Sequence, residues 1–536
     1  MTEPASPKRT VRLLSLNIND RDLSIALVML KQVALRDADV AANYDIHIHQ
    51  WQKDFARMGE AGTVDGLDLD RVVDSLSPES TDVFGFSTYT WNHHFMVAVA
   101  RRVKERNPDA VLLFGGAQAG GYGARWLEDH PFADYVIKGE AEFAFRTFLK
   151  GLLVGDVSDT PNLFWRDEQG VRTRVPAEWR AAKKQSYLPS IEALPFAHHS
   201  KEYRDYLDNL DHQVTAQFET ERGCPLQCAF CSWGTGLPIR RRSREDVEEG
   251  LLYLLNHPNV RAVYVVDANP FINQEKGLWL SEFVLHRNKS GKPVFFELNP
   301  EYVRDPRVIE NLGRLNGDEL AFGLQSTSDI TLKKIRRKFH RETYKRNVSR
   351  LRELNPRANI KFSLILGLPA DTYATFTQSL DFVISMVPND IYVHDLLVLP
   401  GSAMYNDPES FGVVIDREPP HRLVSNETFP AADYDRAKHL GFATKVLHND
   451  TLVRDSLLAL QTDMGGRHVD LYASFVDFLE ANGVDFFAGR PVGEVSSEEF
   501  DFLTKSFHAS PRRAEVRALL VRFAASCRAE VAAAAK

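Results

Sequence analysis

The sequence predicts an α/β protein in three parts: a doubly wound N-terminal domain, an open partial (β/α)6 barrel and a helical C-terminal domain. Three observations predict this. Residues 1–155 alternate short apolar runs with amphipathic stretches, a second such series starts at residue 211, and the pattern turns mostly helical after residue 410. Residues 156–210, irregular and rich in Pro, Asp and Arg, read as a connector with a few ordered pieces.

In the first part VRLLSL, YDIHIH, DVFGFS, AVLLFGG and ADYVIKG read as strands, separated by helical patterns such as RDLSIALVMLKQVALR and FMVAVARRVKERN. Strand–helix alternation at this spacing implies a parallel sheet covered on both faces. Ligands of such sheets bind beyond the carboxyl ends of the strands. Those ends carry Asn19 and Asp20, then Ser87, Thr88 and Tyr89, then Gly115, Gly116 and Gln118, then Gly139 and Glu140.

The second series offers six strand candidates: VTAQFET, AVYVVDA, PVFFELN, ELAFGLQS, IKFSLILGLP and IYVHDLLVLP. Ser243 is placed to cap the helix that SREDVEEGLLYLLNH forms. Six strand–helix units make an open barrel whose site lies at the carboxyl ends of its strands. In the last part HVDLYASFVDFLEANG and RAEVRALLVRFAASCRAE are amphipathic, and Cys527 sits on an apolar helix face, as a plain buried thiol does.

At 536 residues, 44% hydrophobic and 26% charged, the chain has the composition of a soluble globular protein with ample core. No apolar run is long enough to span a membrane, and the polar start MTEPASPKRT does not read as a secretory signal, so a cytoplasmic location without membrane is expected. The net charge of -8 argues against a nucleic-acid partner.

Three of the four cysteines lie in TERGCPLQCAFCSWG, as Cys224, Cys228 and Cys231 with spacing C-x3-C-x2-C. In a reducing compartment such a cluster reads as a metal site. Three thiolates on one loop can hold three irons of a four-iron four-sulfur cluster and leave the fourth iron open. The competing structural zinc site wants a fourth ligand, usually from paired knuckles, and there is no second C-x2-C or Cys/His pair nearby.

GCPLQCAFCSWG resembles the signature loop of the radical S-adenosylmethionine superfamily, C-x3-C-x-aromatic-C, with Phe230 as the aromatic. ELAFGLQSTSDITLKKIRR, IKFSLILGLPADTYATF and LLVLPGSAMY resemble that superfamily's fourth-, fifth- and sixth-strand segments, in order. The resemblance implies a [4Fe-4S] cluster whose open iron S-adenosylmethionine chelates. It makes Glu297, Gln325 and Ser326 candidates for the ribose and amino acid, the backbone at Phe230 and Gly367 for the adenine, and Arg336 or Arg337 for the carboxylate. A solvated helix face is the alternative for those two arginines, and solvation is the expectation for Arg240, Arg241 and Arg242.

The N-terminal part resembles the cobalamin-binding domain fused to one class of that superfamily. The pieces that match are the Ser87–Thr88–Tyr89 turn, the FGG turn with Gly115, Gly116 and the following Gln118, and VIKGEAEFAF with Gly139 and Glu140. Many such domains carry D-x-H-x-x-G after the first strand, where the histidine ligates cobalt. This chain reads NINDRDLSIAL instead. The resemblance therefore implies cobalamin, acting as methylcobalamin, without a histidine ligand, which favours transfer of methyl as a cation.

Within that class the chain resembles the tryptophan C2-methyltransferases of thiopeptide biosynthesis. Arg71 falls where an arginine faces cobalt, and Glu275 where a glutamate reaches the open iron, so both become catalytic candidates and Glu275 a fourth cluster ligand beside Cys224, Cys228 and Cys231. The resemblance implies a methyltransferase moving methyl from S-adenosylmethionine through methylcobalamin to an sp2 carbon, C2 of tryptophan, by a polar route, with an electron-donating reductase or flavodoxin as partner. The rival outcomes are a radical methylase acting on an unactivated carbon of another natural-product intermediate, a tRNA methylthiolase and a non-catalytic cobalamin sensor.

Overall fold

The computed structural model describes residues 7–17, 23–52, 68–174, 187–233, 236–315 and 319–534. The N-terminal sheet is built from β1 (Arg9–Asn17), β2 (Tyr44–Gln52), β3 (Val83–Ser87), β4 (Val111–Gly115), β5 (Tyr135–Ile137), β6 (Leu163–Asp167) and β7 (Gly170–Thr173), in the order β2-β1-β3-β4-β5-β6-β7. All five strands expected from the sequence are present and run parallel. Val83 to Phe86 of β3 are buried throughout, as a sheet covered on both faces requires. The chain moves from β1 outward to β2 and then crosses to β3, so the strand order reverses between β1 and β3. A crevice at the carboxyl edge is expected at such a switch point. Its β3 side is Ser87 to Tyr89; residues 18–22, which hold Asn19 and Asp20 and the middle of the stretch without histidine, lie outside the described residues.

The sheet is two strands wider than expected. β6 and β7, inside the region read as a connector, add an antiparallel hairpin to β5. Its turn contains Gly170 at φ +112°, a conformation that glycine adopts without strain.

The barrel strands are β8 (Val214–Phe218), β11 (Val260–Val265), β12 (Val294–Leu298), β13 (Glu319–Gln325), β14 (Asn359–Leu366) and β15 (Asp390–Asp395); between the first two lies the short antiparallel pair β9 (Glu221–Arg222) and β10 (Arg240–Arg241). The six strands are parallel in the order β15-β14-β13-β12-β11-β8, with β8 and β15 as unjoined edges, so the barrel is open. Burial alternates along β14: Ile360, Phe362, Leu364 and Leu366 pack into the core shared with the helices. Lys361, Ser363 and Ile365 point the other way, into the concave side. Ser243 caps Arg244–Asn256 by accepting from the Asp246 amide.

Beyond the barrel, β16 (Val413–Ile415) and β17 (Leu423–Asn426) form a small hairpin, followed by the helices Ala431–His448, Thr451–Met464, His468–Ala481, Ser497–Ala509 and Arg512–Ala534. These helices share one apolar core with the barrel, and Cys527 is buried within it. No helix among the described residues is long and apolar enough to cross a membrane.

Candidate active site

The cysteine loop leaves β8 at the carboxyl edge of the barrel and is tied at both ends. Arg222 and Arg240 pair across β9 and β10, and Gly223 between them sits at φ +97°, where any Cβ would run into the Pro238 backbone. Within the loop Ala229 uses both backbone groups: its amide donates to Ile335 O at 2.9 Å and its carbonyl accepts from Met404 N at 3.0 Å. Phe230 packs against the apolar cluster that holds Ile335, Leu368 and Met404. It anchors the loop.

The three cysteines are free thiols, Cys228 buried and the other two half-buried. Burial pushes Cys224 up to about 11, and burial raises Cys228 as well. Such groups become thiolates only when a metal takes the proton's place. Among the described residues no three His, Cys, Asp or Glu side chains converge on a single-ion site. Three cysteines on one loop, each free to take its own iron, are a donor set for a cubane.

The charged side chain that acts on the cysteines is Arg337, whose guanidinium works against burial at the Cys228 thiol. Arg336 explains why. It stands at φ +57° after the helix Asp329–Lys334, leaving its own side chain exposed over the Phe411 ring and turning Arg337 inward. The Arg337 side chain is 7% exposed; it donates to Asn299 Oδ1 at 2.7 Å and to Gly323 O, and lies 3.6 Å from Glu301. Burial raises the Glu301 carboxyl, with Arg337 acting against it.

The other candidates for S-adenosylmethionine divide. Glu297 is half-buried on the concave face of β12 and accepts from Tyr264 Oη at 2.6 Å. Gln325 ends β13 at φ +72° and folds its amide over Gly323, where a Cβ would stand 2.7 Å from it. Ser326 is buried in a hydroxyl network with Ser379 and Ser328, so it holds the turn. Gly367, at φ +89°, is covered by Leu423 and Tyr434, and its carbonyl accepts from Asn426 Nδ2 at 3.0 Å.

The remaining ligand candidate is Glu275. It is exposed on the first turn of the helix Gln274–Arg287. Its neighbour Lys276 points inward instead, 2.8 Å from Glu221 and 2.9 Å from Asp267, both buried carboxylates. One turn cannot send both residues the same way. Arg71 is likewise exposed, on the short helix Leu69–Asp74, with its amide bonded to the Asp68 cap.

At the carboxyl edge of the N-terminal sheet, Ser87, Tyr89, Gly115 and Gly116 are half-buried and Gly139, at φ +79°, is exposed. Apart from Tyr89, this floor is made of small residues, which lets a broad ligand approach the backbone. Thr88 is spent internally: its hydroxyl donates to Gly115 O at 2.6 Å and accepts from Ala119 N at 3.0 Å. Gly116, at φ +88°, lets the two turns meet, since a Cβ there would lie 2.8 Å from Thr88 N. Gln118 is buried against His421, Nε2 to Nε2 at 2.7 Å, and Tyr122 donates to Arg417 O at 2.7 Å; both contacts bind the sheet's helix to the segment before β17.

Sequence reasoning missed the second junction. Glu140 accepts from Leu188 N at 2.6 Å and from Arg240 at 2.7 Å, while Arg222 pairs with Glu142 at 2.7 Å and Glu219 at 2.6 Å. Arg242 reaches Glu219 at 3.2 Å. The side chains of Arg240 and Arg242 are 5% and 3% exposed, contrary to the expected solvated run. Alternation in the extended β10 segment was the available signal, for only Arg241 faces out.

Comparison with known proteins agrees with this layout. The B12 binding domain model matches residues 26–149 and the Radical SAM superfamily model residues 219–383. A 2-(S-pantetheinyl)-carbapenam-3-carboxylate methyltransferase from Streptantibioticus cattleyicolor is 28% identical over 92% of this chain and 72% of its own length. The cobalamin-dependent radical SAM methyltransferase TokK from Streptomyces tokunonensis is 27% identical over 76% of this chain, which spans 62% of TokK. Among solved structures, TsrM from Kitasatospora setae with cobalamin and a [4Fe-4S] cluster bound has a TM-score of 0.57 at 17% identity, covering 80% of this chain and 82% of TsrM. OxsB with aqua-cobalamin and S-adenosylmethionine bound has a TM-score of 0.60 at 13% identity, covering 96% of this chain and 83% of OxsB. The cofactors of this protein are a [4Fe-4S] cluster, S-adenosylmethionine and cobalamin. With a B12-binding domain docked edge to edge on a radical SAM barrel, the chain belongs to the cobalamin-dependent radical S-adenosylmethionine methyltransferases.

Proposed function

We propose that this protein methylates a carbon of a small-molecule natural-product intermediate, of the class that its carbapenam-methylating relative acts on. The observation that carries this reading is the exposure of Glu275 beside a locked Lys276, which favours an open fourth iron over one capped by that carboxylate. When bound, the cluster supplies single electrons, S-adenosylmethionine supplies methyl groups and a cleavable sulfonium, and cobalamin carries methyl. An external reductase or flavodoxin is the expected electron source.

The chain's own residues do the positioning. Cys224, Cys228 and Cys231 are the cluster's protein ligands. Glu297 and the Gln325 amide, on the concave side of the barrel, are the polar groups offered to S-adenosylmethionine. Ser87, Tyr89, Gly115, Gly116 and Gly139 form the floor for cobalamin. Arg222, Arg240, Glu140 and Glu142 hold the base of the cysteine loop against the carboxyl edge of the N-terminal sheet.

A second reading, polar methylation of tryptophan at C2, is supported by the fold likeness to TsrM with tryptophan and an S-adenosylmethionine analogue bound, TM-score 0.56 at 16% identity. It assigns Arg71 to cobalt and Glu275 to the fourth iron.

One experiment separates the two readings. The protein is reconstituted anaerobically with iron, sulfide and methylcobalamin, then given S-adenosylmethionine, a reductant and either tryptophan or a carbapenam carboxylate. Methylated carbapenam with 5'-deoxyadenosine supports the proposal. Methylated tryptophan without 5'-deoxyadenosine supports the second reading. A fully loaded enzyme that methylates neither overturns both substrate assignments.

A further inference from the structure

The buried pair beside the cysteines has no part in the functions assigned above. Arg337 is brought to Cys228 by three local features: the left-handed Arg336, the Ala229–Ile335 backbone hydrogen bond, and the acceptors Asn299 Oδ1 and Gly323 O that fix its guanidinium. Glu301 stands behind it at 3.6 Å, almost completely buried, with Oε2 lacking any hydrogen-bond partner. Tyr302, next in sequence, is close enough for the charges of Arg337, Glu301, Cys224 and Cys228 to act on its hydroxyl.

We infer that Arg337 and Glu301 set the reduction potential of the cluster held by Cys224, Cys228 and Cys231, the guanidinium raising it and the carboxylate lowering it. Reduction adds one negative charge to the cluster. A fixed cation beside the cluster favours the reduced form, and a fixed anion disfavours it. Both act through a dry interior, where charge is screened least. The geometry also withdraws Arg337 from the S-adenosylmethionine carboxylate, because its guanidinium is directed to Asn299, Gly323 and Glu301. The inference needs the cluster and is independent of the substrate.

The test is a redox titration of the reconstituted holoenzyme, followed through the EPR signal of the reduced cluster, which is distinct from that of cob(II)alamin. Arg337→Met should lower the potential, and Arg337→Lys, which keeps the charge and loses the planar fork, should lower it less. Glu301→Gln should raise it. The expected size is about tenfold or more in the reduction equilibrium, which for one electron is about 59 mV. Opposite shifts in Arg337→Met and Glu301→Gln support the inference, since a merely structural role cannot give them. Shifts of the same sign, or potentials equal to wild type, overturn it. If Arg337→Met fails to retain iron, the Arg337→Lys and Glu301→Gln pair decides by the same opposite signs.

Discussion

Arg222, two residues before Cys224, lies 2.7 Å from Glu142, the first residue of a helix in the N-terminal domain. Both side chains are nearly enclosed, and Glu219 at 2.6 Å completes the pairing. The contact links the first turn of the cobalamin domain's helix Glu142–Val154 to the base of the cysteine loop. Removing the cation leaves Glu142 buried without compensation, while Glu219 keeps Arg242, a loss toward the lower end of about 3–5 kcal/mol. Arg222→Met should therefore unfold at lower denaturant concentration and lose cobalamin and iron together. Glu142→Gln, which keeps a hydrogen-bonding oxygen, should cost less. Chemical denaturation with metal and cobalamin analysis checks both.

Replacing Cys224, Cys228 or Cys231 by alanine should each remove the iron–sulfur absorbance and abolish turnover. Cys527→Ala should keep a wild-type iron content, because that thiol sits in the helical core more than a domain away in sequence. Iron and sulfide analysis after anaerobic reconstitution distinguishes the two groups.

Asp450 caps the helix Thr451–Met464 and receives Arg513 at 2.6 Å and Arg517 at 2.9 Å from the last helix. Burial acts to raise its carboxyl, but the two arginines outweigh burial and hold it at about 2. A carboxylate depressed in the folded state stabilises fully above its unfolded value and loses that contribution as pH falls through the folded value. The interaction should thus contribute about 2 kcal/mol above pH ~4 and fade between pH ~4 and ~2. Asp450→Asn should remove this pH-dependent increment, seen as a smaller slope of unfolding free energy against pH over that window.

Much of this was legible in the sequence. Strands buried on both faces, such as β3, and strictly alternating ones, such as β14, carry their own signal. The β6–β7 hairpin did not stand out, since Leu163–Asp167 and Gly170–Thr173 are short, half polar and packed on one edge. At the site, the cysteines are specified by covalent chemistry and spacing, so they could be read directly. Arg337, Glu301 and the Arg222–Glu142 contact depend on which of two adjacent residues faces inward and on what a distant segment places opposite. Choosing Arg337 over Arg336 turns on one left-handed residue, which an arginine does not announce.

Gly116 and Thr88 close the floor of the cobalamin domain. Gly116→Ala must place a Cβ against the Thr88 backbone at φ +88°, where an L-residue is strained by about 1–2 kcal/mol before any clash. It should lower thermal stability and release cobalamin on desalting. Thr88→Val keeps the shape but leaves the Ala119 amide without the hydroxyl and Gly115 O with only the Thr88 amide, and should cost about 1–3 kcal/mol. Retained cobalamin, read from its visible absorbance after desalting, reports both.

Lys276 and Glu275 make opposite predictions although they are neighbours. The Lys276 ammonium is enclosed between Glu221 and Asp267, and Asp267 also accepts from the Thr220 and Glu221 amides at 2.8 and 3.1 Å. This network supports the strand that leads into the cysteine loop. Lys276→Met should cost about 3–5 kcal/mol by leaving buried Asp267 without a cation and Glu221 with only the exposed Arg241, and should yield protein with less iron per chain. Glu275→Gln should leave stability, iron content and the EPR spectrum of the reduced cluster unchanged, because its carboxylate faces solvent. Binding of S-adenosylmethionine should then perturb that EPR spectrum equally in wild type and in Glu275→Gln. A spectrum that changes on the Glu275→Gln substitution alone would instead put Glu275 on the fourth iron, and with it restore the polar route to tryptophan.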